Sequence, residues 1–175
     1  MRGDSMKELV RSIVCSICKS LSEECEEPQL PKIKTYSVPW YHIKQYLVNQ
    51  GLECMIKDKY AGDNMISLPT LAGLKKMTPY LVFPAQNVGE GCDCDDYAKM
   101  ASATASFKFK VSGYFQVWGE MPLGGHAWNL AVYISFNDDG IAQFGHFYCE
   151  PNAGFVYAGE LFSEGEHGYM GKSFK

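Results

Sequence analysis

The sequence predicts an α+β fold in which a helix that opens on a cysteine packs against an antiparallel sheet. Three observations predict it. Near the start, Met6, Leu9, Val10, Ile13, Val14, Ile17 and Leu21 recur at helical spacing and form one apolar stripe. In the second half the pattern alternates instead: Trp128, Leu130, Val132, Ile134 and Phe136 fall on one face of an extended strand. Between the two, Gly91-Cys92-Asp93-Cys94-Asp95-Asp96-Tyr97-Ala98 leads from a turn-rich stretch into a helix dense in alanine and serine.

Length and composition set the frame. A chain of 175 residues suits one domain over 1–175, with a helical part over 1–50 and enough chain for a real core. Hydrophobic residues make up 46% and charged residues 21%, a globular balance that excludes a disordered chain. The net charge of −4, with no Lys/Arg cluster, argues against a nucleic-acid partner, whose binding rests on phosphate contacts. No apolar run reaches the length of a membrane span. Lys7, Glu8, Arg11 and Lys19 interrupt the first apolar stretch and speak against a signal peptide. Seven cysteines without such a signal point to a reducing cytoplasm and free thiols.

In chain order, Ser5 and Glu8 form a capping box for the first helix. Cys15 and Cys18 are a C-x-x-C pair on that helix, followed by Cys25. With no second pair and no preceding strand, they read as small half-buried residues. The stretch 23–34, with Pro28 and Pro31, reads as a connection. A second helix starts near Pro39 and ends before Gly51, with His42 as a packing or surface residue. Residues 52–91 predict one short helix around 69–76 and irregular chain otherwise. Phe107, Phe109 and Val111 alternate with lysines and predict a strand that continues as Tyr114–Trp118. Asn137-Asp138-Asp139-Gly140 is a hairpin signal, and Ile141–Glu150 is the returning strand. The glycine-rich tail from Gly165 reads as partly mobile.

The chemistry-bearing residues fall at the ends of these elements. Cys94 stands where a loop becomes a helix, and the free N–H groups of a first turn favour a thiolate. Gly125-His126-Ala127-Trp128-Asn129 opens a strand and offers a base, and Cys149-Glu150-Pro151-Asn152 offers a carboxylate to orient it. Alternation gives His126 the face of Trp128 and Leu130, which is expected to pack on the Cys94 helix. A hairpin loop of three or five residues brings 126 opposite 150. Asp95 and Asp96 raise a thiol's pKa if they face it, and serve the helix N-terminus if they do not.

These residues carry a resemblance. Cys94-Asp95-Asp96-Tyr97-Ala98, His126-Ala127-Trp128-Asn129 and Cys149-Glu150-Pro151-Asn152 resemble, in that order, the cysteine helix, histidine strand and acidic strand of the transglutaminase-like, papain-like-fold superfamily. Within it they are similar to the protease domain of a fungal agglutinin and its bacterial and phage relatives, over residues 80–155. The resemblance implies a Cys94-His126-Glu150 triad acting on an amide of a peptide or protein through a thioester, as a peptidase, amidase or transglutaminase. Gln86 is implied as an oxyanion donor, beside the backbone N–H of Cys94. Asn152 stands where that group typically has Gln, and there is no lectin repeat, so sugar binding is not implied. The agglutinin's protease is calcium-activated, but its metal ligands map onto no positions here; Asp93, Asp95 and Asp96 are cation candidates only as an acidic cluster, one the helix dipole also explains, and no other cofactor is expected. Two other readings stand beside this one. One is a catalytically inactive interaction module on the same fold; the other is a metal-binding protein using Cys92, Cys94 and the aspartates.

Overall fold

The computed structural model describes residues 29–52, 64–85, 93–122 and 124–171. The expected first helix with Cys15 and Cys18, and also Cys25, Gln86 and Cys92, lie outside them. The chain divides into two units, Met1–Leu30 and Pro31–Lys175, and every element below belongs to the second.

Strand β1 (Thr35–Pro39) is rich in β-branched and aromatic residues and ends at a proline, which lacks the N–H to continue a ladder. Helix α1 (Trp40–Asn49) follows at once and buries Ile43 and Leu47. Gly51, at φ 74°, takes the left-handed turn that ends it. Strand β2 (Met65–Pro69) pairs antiparallel with β1, from Thr35 opposite Pro69 to Pro39 opposite Met65. The sequence predicts irregular chain here because each strand is short and its partner lies beyond a helix. The short helix expected near 69–76 is α2 (Leu71–Met77), whose first turn is capped by the Thr70 side chain, 3.1 Å from the Gly73 N–H.

Helix α3 (Cys94–Phe109) is longer than expected. The alternation at Phe107, Phe109 and Val111 predicts a strand, but the chain stays helical through Phe109. It stops at Lys110, whose left-handed backbone (φ 59°, ψ 32°) returns its N–H to the Ala105 carbonyl. Phe107 is exposed while Phe109 is buried one turn after Ala105, a split between neighbours two apart that fits a helix and not a strand.

Strands β3 (Tyr114–Met121), β4 (Gly124–Phe136) and β5 (Ala142–Cys149) form an antiparallel meander. Two-residue strands β6 (Leu161–Phe162) and β7 (Met170–Gly171) extend its edges, in the order β6-β5-β4-β3-β7. The fold is thus α+β with antiparallel sheets. The hairpin register is two residues from the expected one: Phe136 pairs with Ala142, and Asn129 with Cys149. The loop is 137–141, closed by the Asn137 side chain, which accepts the Ile141 N–H at 2.7 Å. An even slip leaves every side chain on its expected face.

The expected partner of that face needs correction. Trp128, Leu130, Val132 and Ile134 pack in one aromatic and aliphatic core with Ile43 and Leu47 of α1, Ile66 and Leu68 of β2, and Tyr148, Phe162 and Tyr169. Helix α3 lies on the opposite face, where Asn129 donates to the Ala98 carbonyl (2.9 Å) and the Ser102 hydroxyl (3.0 Å). Gln116, paired with Asn129 across the ladder, donates to the Asp95 carbonyl on the same side. The physical reason is size. Ala98, Ala101 and Ala105 let α3 approach the sheet only where its side chains are also small, at Ala127, Asn129 and Ala131. No helix among the described residues is long and apolar enough to cross a membrane.

Candidate active site

Cys94 is the first residue of α3, and the turn before it is held by acidic side chains. Asp93 is the N-cap and accepts the Asp95 N–H at 3.2 Å, while Asp96 reaches back to the Asp93 N–H at 3.4 Å. Lys99, one turn on, pairs with Asp95 and lies 3.5 Å from Asp96. The upstream chain is fixed too: Tyr97 donates to the Pro84 carbonyl at 3.1 Å. Phe83 exchanges backbone hydrogen bonds with Pro151 and Ala153, so the segment before residue 86 starts beside the turn after Glu150.

His126 and Glu150 meet in the core. His126 Nε2 lies 2.7 Å from Glu150 Oε2, with His126 6% exposed and Glu150 fully buried. Continuing the β4–β5 register puts Glu150 opposite Trp128, so this contact crosses the ladder on a diagonal, and the length of the glutamate side chain makes up the two-residue slip. Two further groups donate to the carboxylate: the Asn152 N–H to Oε1 at 2.9 Å, and the Tyr169 hydroxyl to Oε2 at 2.6 Å. A carboxylate that accepts from all sides requires the proton on Nε2 of His126, which leaves Nδ1 as the acceptor. The imidazole is walled by Phe155, Tyr169 and Trp128, with ring centroids 5.0, 5.7 and 6.1 Å away.

The third expected member comes close by another route. The Cys94 thiol lies near enough to the backbone N–H of Ala127, the residue after His126, for that N–H to favour its thiolate. That N–H points from β4 toward where β5 would continue, but β5 ends at Cys149. The helix tip therefore reaches the end of β4 beside Ala127. Among the described residues no hydrogen bond joins the Cys94 thiol to the His126 ring; His126 lies on the Trp128 face of β4, and the body of α3 packs on the Asn129 face. Burial pushes the Cys94 thiol above its usual value. Asp93 and Asp95 push the same way, and the N–H groups of Ala127 and Cys94 pull it down. The resting group is a thiol that needs a base. Cys149, the other described cysteine, is fully buried and raised to about 12, chiefly by burial.

The carboxylates of Asp93, Asp95 and Asp96 lie within 4.8 Å of one another and have the oxygen chemistry that suits a hard cation. Their oxygens are already engaged by the helix cap and by Lys99. Of the polar groups in the site, sequence reasoning misses Tyr169 and the role of Asn129. Tyr169 lies in the tail expected to be mobile, yet it is completely buried. Asn129 left a signal, a lone amide between Trp128 and Leu130 in the apolar middle of its strand. The Asn152 contact is made by backbone, so it does not depend on whether Asn or Gln stands there.

No family model, curated protein or solved structure matches this chain.

Proposed function

We propose that this chain performs cysteine-dependent acyl chemistry on an amide of a peptide or protein, with Cys94 as nucleophile, His126 as base and Glu150 as the residue that orients the base. The single observation that supports it most is the buried His126–Glu150 hydrogen bond, which holds the imidazole through Nε2 and leaves Nδ1 as its acceptor, one residue before the Ala127 N–H that the Cys94 thiol lies against. Nδ1 takes the thiol proton as sulfur bonds to the carbonyl carbon, and the oxyanion is met by the Cys94 N–H, a first-turn donor. The imidazolium returns that proton to the departing amine as the C–N bond breaks, leaving a thioester. Attack by water regenerates the thiol and gives a peptidase or amidase; attack by a second amine gives a transglutaminase. A raised thiol pKa fits a nucleophile activated only when substrate is bound, and catalytic hydrogen bonds commonly tighten at that point. The resemblance to the transglutaminase-like, papain-like superfamily, with a nucleophile helix on an antiparallel sheet, is part of the same proposal.

One observation favours a second reading. The Cys94 sulfur is engaged by backbone and not by His126, as expected of an interaction module on this scaffold whose chemistry is silent. Trapping with peptide-based, thiol-directed electrophiles, read by mass spectrometry, separates the two. In the enzyme reading the wild type is trapped at Cys94, and His126→Ala slows trapping by about 100-fold or more. Glu150→Gln slows it less, because the orienting residue is the least costly of a triad to lose. No trapping of a folded wild type, with or without calcium, selects the silent module.

A further inference from the structure

We propose that Tyr169 is a positioning residue of this site: its hydroxyl shares Glu150 Oε2 with His126, and so limits the charge that the carboxylate presents to the imidazole. The inference rests on the triad reading above. Two donors converge on one oxygen, Tyr169 at 2.6 Å and His126 Nε2 at 2.7 Å, while the other oxygen is held by the Asn152 N–H. Each donor withdraws charge from the carboxylate, so each weakens what the other receives.

Tyr169 is suited to this part. Its ring is fixed edge-on against Trp128 (4.8 Å), His126 (5.7 Å) and Tyr157 (5.6 Å), which holds its hydroxyl at Glu150 Oε2. Burial, Glu150 and Tyr157 all push its ionisation upward, so it stays a donor at any working pH. The other titratable groups around the site are few. Tyr157 carries His167 stacked on its far side at 4.2 Å. Tyr148 reaches Trp128, while Cys149 and Tyr114 lie behind Glu150 on the α3 face. Asp93 and Asp95 face Cys94 from α3.

The test follows the rate of Cys94 alkylation by iodoacetamide against pH, together with the proton resonance of His126 Nε2–H, in the full chain. Tyr169→Phe keeps the ring contacts and removes the hydroxyl, with its bond to Glu150 and its contact with Tyr157. Oε2 then serves His126 alone, the Nε2–H resonance moves downfield, and the alkylation profile moves to lower pH by about one unit, the worth of one charge-assisted hydrogen bond. A purely structural tyrosine would lower the melting temperature and leave both readings in place, which overturns the inference, as does a profile that moves to higher pH. His126→Ala tells the two failures apart. If it shifts the Cys94 profile while Tyr169→Phe does not, the triad stands and the inference on Tyr169 falls. If the resonance moves in Tyr169→Phe but Cys94 ignores both variants, the shared oxygen stands and the triad reading falls. Should Tyr169→Phe not fold, 3,5-difluorotyrosine at 169 keeps the shape and donates more strongly, and it should move the profile to higher pH; an unmoved profile again overturns the inference.

Discussion

On one face of β4, Ala127, Asn129 and Ala131 lie under α3, whose buried side chains toward the sheet are mostly alanine. On the other, Trp128 and Leu130 interlock with Tyr148, Phe162 and Tyr169. The first face holds its helix by close approach and one amide; the second is held by the area its rings bury. The difference explains how one strand serves both halves of the candidate site. The aromatic face keeps His126 and Glu150 dry and fixed, while the small face brings the helix tip, and with it Cys94, down to the end of β4.

If burial carries the aromatic face, Trp128→Ala should have the largest effect on stability, a loss of about 3–5 kcal/mol in urea unfolding. On the small face the damaging change is enlargement. Ala101→Leu has no room under α3 and should cost about 1–3 kcal/mol by overpacking, and should lower Cys94 trapping by lifting the helix. An Ala101→Leu that folds as stably as the wild type would show that α3 is not held by close approach. Asn129→Ala removes the donor to Ala98, Ser102 and Phe115 and should cost about 1–2 kcal/mol, with more of the effect on Cys94 trapping than on the melting temperature. The smallest effect concerns charge. Asp93→Asn keeps a good N-cap but removes a carboxylate that raises the Cys94 thiol. Because the folded thiol sits above its usual value, alkylation rises only on the alkaline side. The variant should move that rise to lower pH while leaving stability nearly unchanged.

The sequence carried much of this pattern and missed the parts that depend on distant partners. Alternation at Trp128–Phe136 and the Asn137–Gly140 turn identify the central hairpin, because both signals are local. The pairing of Glu150 with His126 is also legible, since an even register slip preserves faces and a glutamate can span the diagonal. Which face α3 covers is not legible from periodicity, which says that a face is apolar and not what covers it. Alanine at 98, 101 and 105 against Ala127 and Ala131 is the readable clue, one of size matching. Strands β1 and β2 define each other across an intervening helix, and five residues each are too short for their local signal to stand out. Tyr169 was hidden by its neighbours, since glycines at 165, 168 and 171 read as looseness when in fact they shape a tight return to the sheet.

Gly119 of β3 sits where a Cβ would strike both the Trp128 ring and the Met170 carbonyl, so β7 and the Tyr169 before it can dock only against a bare backbone. This has a consequence for the order of folding. The β3–β4–β5 meander joins neighbours in sequence, whereas β7 must return from the end of the chain to reach β3, and contacts of long sequence separation form late. His126 and Glu150 should therefore be paired in a species that still lacks Tyr169, with its carboxylate open to water on one side. In stopped-flow refolding, amide protection of β4 should precede the final change in Trp128 fluorescence that marks arrival of the Tyr169 ring. In a Gly119→Val chain, whose new side chain meets the Trp128 ring as well as the Met170 carbonyl, the second phase should be lost and the first slowed.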